Sequence, residues 1–359
     1  MKLLDRYLLR EFIGYLALGL TGFIVIFVVV DIFEKIDVFL DHHASLDLIA
    51  RFYLYRAPEV VVQVMPVALL LATFLALGQL NKFGELTAMR AVGLSLVRIL
   101  MPVLAIAAGA ALVALALSEV VVPKANRERD DIYDEQIQNL RRETTAERPD
   151  LTYLGTAGRI WYARLYLVNE RRLHEVSVQE FAGDQLKRRI DASECTWDGK
   201  QWVFTAGIER TFVGDREIAQ PFDRKRIEGL RERPEDFAKE SRNPGEMNFF
   251  ELKTFVDRLR ASGGAVAKYL VDLHLKLAFP LVNFIVVMIG ASLATQLRLQ
   301  SAAVGFGLSV AISFLYYGFM RTGQALGHTG ALPPYAAAWI GDAVFGIVAL
   351  VMLYRAQRR

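Results

Sequence analysis

The sequence predicts a membrane α-helical bundle of six transmembrane helices with an inserted periplasmic β jelly-roll domain, and three observations carry that prediction. Two strongly apolar blocks flank a hydrophilic stretch from Pro123 to Lys268 whose composition matches neither. Inside that stretch the apolar residues fall in short runs bounded by turn and charge signals, the pattern of half-buried strands. Basic residues in the short loops are divided unevenly, ten against four, which sets an orientation.

The strand-like runs come first. Arg159 to Val168 (RIWYARLYLV) is rich in aromatics and ends at Asn169. Leu173 to Phe181 alternates Leu, Val, Val and Phe with His, Glu, Ser and Gln, and Gly183-Asp184 supplies a turn. Arg189 to Trp197 and Gln201 to Phe212 meet at Asp198-Gly199, a dipeptide that accepts the positive φ values of a tight hairpin. Short strands at this spacing suggest a sandwich or jelly-roll. From Asn248 the period turns helical: Asn248 can cap, Glu251 sits at the capping-box position, and Leu252, Phe255, Val256 and Leu259 share one face. Ser262-Gly263-Gly264 ends that helix. The expected organisation is therefore membrane helices 1–3 over residues 1–122 with a cytoplasmic coupling helix at about 81–98, a β domain over 123–247, a connecting helix over 248–268, and membrane helices 4–6 over 269–359.

Composition narrows the function classes. With 359 residues, 53% of them hydrophobic, and a mean hydropathy of +0.28, the chain is too apolar for an ordinary soluble protein yet has charge enough for one sizeable aqueous domain. Its net charge of +3 gives no reason to expect a nucleic-acid partner. The one cysteine, Cys195, allows neither an intramolecular disulfide nor a CxxC metal site. Asp198-Gly199-Lys200 lacks the spacing and the following Ser or Thr of a phosphate-binding loop, so no nucleotide site is expected on this chain. No local catalytic signature stands out, and no catalytic residue or metal is assigned.

Lys2, Arg6 and Arg10 precede span 1, Phe12 to Val30, which at about 19 residues just crosses a hydrocarbon core. That run is longer than a signal-peptide core and lacks a small-x-small cleavage site. Asp31, Glu34, Lys35 and Asp37 crowd its far end, where two readings stand: a solvated helix end, or contact with a charged head group. Adjacent His42 and His43 cannot share a helical face for chelation. Span 2, about Pro58 to Gln79, has Pro58 at a first helical position and an interior Pro66 that should kink it. Glu59 and Gln63, four apart, face one way and suit a structural hydrogen bond. Asn81 to Arg98 (NKFGELTAMRAVGLSLVR) is amphipathic and too polar to cross lipid.

Span 3, about Ile99 to Val122, is rich in Ala and Gly. Span 4, about Tyr269 to Gln296, opens with Asp272, His274 and Lys276, readable as snorkelling side chains or as a proton relay. Span 5, about Ala302 to Met320, carries Gly305, Gly307, Ser309 and Ser313 and then Phe314, Tyr316, Tyr317 and Phe319, aromatics for packing or for a ligand. Span 6 runs from about Tyr335 to Tyr354 after Leu332-Pro333-Pro334. One set of short loops and termini collects Lys2, Arg6, Arg10, Lys82, Arg90, Arg98, Arg298, Arg355, Arg358 and Arg359, while the opposite set offers Lys35, Arg51, Arg56 and Arg321. Both termini are thus expected inside an inner membrane and the β domain outside, in the periplasm.

Three spans, an external β domain, three more spans, and Glu85-Leu86-Thr87-Ala88-Met89-Arg90-Ala91-Val92-Gly93 between spans 2 and 3 resemble the LptF/LptG permeases of lipopolysaccharide export. The likeness covers essentially the whole chain. Leu4-Asp5-Arg6-Tyr7, the Pro66 region and Leu332-Pro333-Pro334 belong to the same pattern and lean toward its LptG branch. The resemblance implies an ABC-transporter permease subunit, not itself an enzyme, that extracts lipopolysaccharide and passes it through the β domain. The implied partners are a paralogous LptF-like permease, a cytoplasmic LptB-like ATPase dimer holding ATP and Mg, and membrane-anchored LptC/LptA-like bridge proteins; no cofactor is bound by this chain.

Candidate sites follow. Leu86, Met89 and Val92 are spaced to enter a groove on the ATPase while Glu85 and Arg90 reach charges on its rim, and the resemblance points to the same acid. Lys35 matches the family's basic substrate contact at the outer end of span 1, with Asp37 beside it, and Phe314 and Tyr317 on span 5 are candidates for acyl-chain contact. Readings of other classes are a membrane-anchored enzyme, which would keep its activity without an ATPase, and a scaffold presenting a β domain.

Overall fold

A computed structural model describes residues 2–138, 147–155, 159–182, 185–213, 216–227, 230, 232–234, 237, 244–261, 266–296 and 302–358. Gly183-Asp184, Ser262 to Gly264, Arg298 and Arg359 lie outside the described residues. The chain divides into two compact units: Met1–Leu40, Ile49–Arg129 and Ala267–Arg359 form one, and Asp41–Leu48 with Asp130–Val266 form the other.

The first unit is a bundle of six helices long and apolar enough to cross a membrane, so the protein is multi-pass. They are α1 (Lys2–Asp41), α2 (Leu46–Lys82), α4 (Leu96–Ala116) with its continuation, α7 (Ala267–Gln296), α8 (Ala302–His328) and α9 (Pro334–Arg358); a short α3 (Glu85–Ala91) joins α2 to α4. The bundle has a centre and a periphery. In its most apolar stretch α2 is 78% buried and α7 67%, whereas α1 is only 11% and α8 22%. Leu70, Phe74 and Leu77 of α2 pack with Val282 and Val286 of α7 and with Ile99 and Leu100 of α4. Gly290 of α7 makes this approach possible, since a Cβ there would fall 2.5 Å from Leu70 Cδ1. Small residues also seat α8: a Cβ on Gly327 would stand 2.5 Å from Ala337 Cβ on α9 and 2.6 Å from Val271 Cγ2 on α7.

The start of the second helix differs from the sequence expectation. It begins at Leu46, so Pro58 and Pro66 are both interior, and Ser45 Oγ accepts a hydrogen bond from Leu48 N at 3.4 Å. The polar residues Arg51 and Arg56 hid this first part from a hydropathy reading, although Phe52 there is buried. Likewise α4 does not stop at Pro123. It runs through a π-helical segment, Leu117–Val121, into α5 (Val122–Asp131) and a second π segment, Ile132–Ile137. The widened turn just before Pro123 accommodates a residue that has no N–H to give.

The second unit contains a six-stranded antiparallel sheet inserted between the helices, with β1 (Glu147–Leu154), β2 (Arg159–Leu167), β3 (Arg172–Ala182), β4 (Gln185–Trp197), β5 (Trp202–Val213) and β6 (Arg216–Arg226) in sequential order. Each described strand pairs with its neighbours in the chain, so the sheet is a meander. The β4–β5 hairpin turns where expected. Gly199 takes φ 97°, and Asp198 Oδ1 accepts from Lys200 N at 2.9 Å and Gln201 N at 2.8 Å. These backbone donors hold the Asp198 carboxyl below the usual range.

One face of the sheet carries Trp161, Tyr166, Val178, Ile190, Trp202 and Phe204, all buried. Phe237 closes over them, its ring 4.9 Å from Trp161, 5.0 Å from Tyr153 and 5.3 Å from Trp202. Two polar tips of this cluster are satisfied, Trp202 Nε1 donating to the Glu232 carbonyl at 2.8 Å and Tyr166 OH to that of Pro234 at 3.1 Å, while Trp161 Nε1 is buried without a hydrogen-bond partner. Cys195 is buried in the same core, and burial, helped by Glu194, pushes its thiol well up. In α6 (Phe249–Ala261) the capping box forms: Glu251 N donates to Asn248 Oδ1 at 2.9 Å and Asn248 N to Glu251 Oε2 at 3.1 Å.

Candidate functional site

A polar cluster sits where α1 faces the start of α2. Asp31 is only 4% exposed. Lys35, one turn on, donates Nζ to Asp31 Oδ1 at 2.6 Å, and Arg56 Nη2 approaches the same oxygen at 2.8 Å. Tyr53 OH donates to Oδ2 at 2.9 Å. Rings support the cations: the Arg56 guanidinium lies 5.5 Å from the Phe27 centroid and 5.8 Å from that of Phe52, and Lys35 Nζ lies 5.9 Å from Phe52. Two cations therefore share one buried carboxylate. Asp37 is not part of the cluster; two residues beyond Lys35, it lies on another side of α1 and is exposed.

Next along α2, Gln63 Nε2 donates to Glu59 Oε1 at 3.2 Å, the structural bond the spacing suggested, and Arg129 of α5 pairs with the other oxygen of Glu59. Tyr317 reaches across from α8 and donates its hydroxyl to the backbone carbonyl of Gln63. Pro66 lies three residues beyond, and a proline inside a helix exposes carbonyls of the preceding turn. Tyr317 is thus held against α2, with Phe279 beside it at 6.2 Å, while Phe314 is 79% exposed. The two aromatics are not brought together. Span 1 and span 5 do touch: Phe23 stacks on Phe306 at 5.8 Å, 7° from parallel.

Asp272, His274 and Lys276 form no shared chain. Asp272 Oδ1 accepts from Gln324 Nε2 and meets His328 Nε2, both at 3.0 Å, while Lys276 pairs with Glu119 at 3.6 Å. Asp342 was missed altogether. It is 7% exposed in α9, takes a hydrogen bond from Tyr316 OH and leaves Oδ2 without a hydrogen-bond partner. A single acid in the middle of an apolar run was the signal that could have found it.

At the other end of the bundle α3 is fixed by two left-handed glycines, Gly84 at φ 73° and Gly93 at φ 89°. Gly93 N donates to Arg90 O at 2.9 Å and Leu94 N to Met89 O at 3.2 Å, which closes the helix with its carbonyls satisfied. Ser95 then caps α4, its side chain accepting from Arg98 N, and Arg98 pairs with Asp5 of α1 at 2.9 Å. The inward residues are Leu86, 4% exposed, and Met89, both packed on the bundle core. Leu86 and Met89 anchor α3 to its own bundle, and the apolar residues turned outward are Phe83, 66% exposed, and Val92, 84% exposed, with Arg90 exposed and Glu85 half-buried.

Among the described residues no three His, Cys, Asp or Glu side chains converge to hold a metal. No curated protein matches the chain. A model of the family described as "Lipopolysaccharide export system permease LptF/LptG" matches residues 6–355. Because that match runs through both apolar blocks and the β insert between them, the chain belongs to the LptF/LptG family of lipopolysaccharide export permeases.

Proposed function

We propose that this chain is one permease half of an ATP-driven transporter that lifts lipopolysaccharide out of the inner membrane and hands it to its own periplasmic β domain. In this reading both termini and α3 are cytoplasmic, the LptB-like ATPase supplies ATP, Mg and mechanical work, and an LptF-like paralogue completes the cavity. LptC/LptA-like bridge proteins receive the lipid. The thin burial of α1 and α8, together with the Phe23–Phe306 stack between them, supports an opening for lipid beside these two helices where the paralogue packs. Lys35 lies in the polar cluster at that end of α1, while Phe314 faces outward from α8 toward acyl chains. Tyr317, tied to α2, steadies the wall instead.

The observation that carries the proposal is α3 with its flanking turns, fastened inward by Leu86 and Met89, where Arg90 and the edge of Glu85 on the helix and Phe83 and Val92 beside it are turned outward. An apolar pair rimmed by opposite charges fits a groove on a second protein. Removing one member of a partly buried interfacial ion pair costs about 2 to 5 kcal/mol, against about 0 to 1 kcal/mol for a solvated one. Glu85→Lys and Val92→Asp should each strip the ATPase from the purified complex and stop export while the chain still inserts. Normal co-purification of the ATPase with both variants, with export intact, would reject the docking assignment.

A further inference from the structure

We infer that the ion pair between Asp5 and Arg98 is a joint that passes movement of the α3–α4 corner to α1, so that these two positioning residues link ATP use to movement of a thinly buried helix. The inference rests on the permease reading above and deepens it by naming side chains that act after the ATPase has docked.

Three observations at the Lys2 end of α1 carry it. First, this end is seated on the corner by several ties. Arg98 Nη2 of α4 donates to Asp5 Oδ2 at 2.9 Å, Glu85 of α3 lies close enough to Tyr7 for its charge to act on that hydroxyl, and Leu8, 1% exposed, shares one core with Leu86 of α3 and Leu96 of α4. Second, Arg98 is not placed for the good of its own helix. It is the third residue of α4, beside the positive end of that helix dipole, where a cation is disfavoured. Ser95 Oγ accepts from Arg98 N at 3.3 Å and fixes the backbone there, while the guanidinium reaches Asp5 in the first turn of α1, where an acid is favoured. Third, α1 is built as a rod. Its 40 residues contain no proline, whereas α2, α4 and α7 each carry at least one inside, and its most apolar stretch is only 11% buried. A helix gripped at one end, without a kink and little held along its length, moves as one body when that end is moved. The side chains of Asp5 and Arg98 are 29% and 37% exposed, so their pairing adds little to the stability of the chain. What it adds is direction: without it the corner can shift and leave α1 behind.

The test uses the full chain in complex with its LptF-like paralogue and LptB-like ATPase, reconstituted in vesicles that contain lipopolysaccharide. Two rates are measured together, ATP hydrolysis and transfer of the lipid to an LptA-like receiver. Asp5→Asn and Arg98→Gln should each hydrolyse ATP at the wild-type rate yet use about fivefold more ATP per lipid transferred, the scale set by losing one partly exposed ion pair. The charge-swapped double variant, Asp5→Arg with Arg98→Asp, should return that ratio to near the wild-type value. Arg98→Lys, which keeps a cation for the single contact, should do the same.

A wild-type ratio in both single variants overturns the inference, whatever their melting temperatures, because a merely structural pair moves stability and not the ATP used per lipid. Loss of the ATPase from either purified variant also overturns it, since the pair then belongs to the docking surface. If both single variants raise the ratio and the swap does not restore it, the two residues act separately and the joint is refuted. Should Asp5→Asn not assemble, Arg98→Gln against Arg98→Lys carries the test, and equal ratios in these two refute the inference. A wild-type complex that transfers no lipid on ATP sinks the permease reading and the inference with it, whereas normal coupling in the variants of a working complex sinks the inference alone.

Discussion

Glu209 in β5 shows how a single side chain ties the aqueous unit to pH. Burial alone would raise its carboxyl, but its hydrogen bond with Lys225 and the charge of Arg188, 2.7 Å away, outweigh that and hold it below the usual range. A carboxyl held low in the folded state stabilises the fold above its ordinary titration range, and the stabilisation is lost as pH falls through the lowered value. Three of the four tryptophans, Trp161, Trp197 and Trp202, lie in this sheet, so intrinsic fluorescence of the intact protein follows its unfolding. In Glu209→Gln the melting temperature should be lower at neutral pH and should fall less between about pH 5 and 3 than in wild type. A parallel fall in both proteins would show that these ion pairs do not govern the acid limb.

At the scale of elements, the parts that were legible are those whose cause is local. Asn248 and Glu251 are three residues apart and exchange both capping bonds. Replacing Asn248 with Ala should cost α6 about 1 kcal/mol, seen as roughly fivefold faster amide exchange in its first turn; unchanged exchange would mean the cap is not limiting. The Asp198-Gly199 turn was legible for the same reason, as it needs only one positive φ and one short carboxylate. What could not be read depends on distant partners. At Asp31 a solvated helix end and a head-group contact both stood open because Tyr53 and Arg56, which bury its charge, lie on another helix. Leu86 and Met89 were spaced for a groove, yet periodicity identifies an apolar face without saying whose core fills it.

For the whole molecule, six apolar spans and a β insert followed from hydropathy, and the family match extends over both. Orientation rests on the basic residues of the short loops and can be tested directly. Lys200 is exposed in the β4–β5 hairpin and the single cysteine, Cys195, is buried. In a Cys195→Ser background, Lys200→Cys should react with a membrane-impermeant thiol reagent once only the outer membrane is opened. Labelling that appears only after the inner membrane is broken would invert the topology. The difference between centre and periphery in the bundle was not legible, because hydropathy does not follow burial, the outer α1 being the most apolar span and the outer α8 the least, and small residues such as Gly290 and Gly327 decide close packing on particular faces.

That difference gives α3 a mechanical meaning. With 7 residues it is too short to persist as a free helix, and it holds its form because both ends are locked and Leu86 is sunk in the bundle. It behaves as a strut, not a spring. In the proposed transporter a push on α3 would pass to α2 and α4, the first of which is the most enclosed span, and from there outward to α1 and α8. On that proposal the bundle would open from within, and the thinly buried outer helices would supply the slack that admits a wide, many-chained lipid.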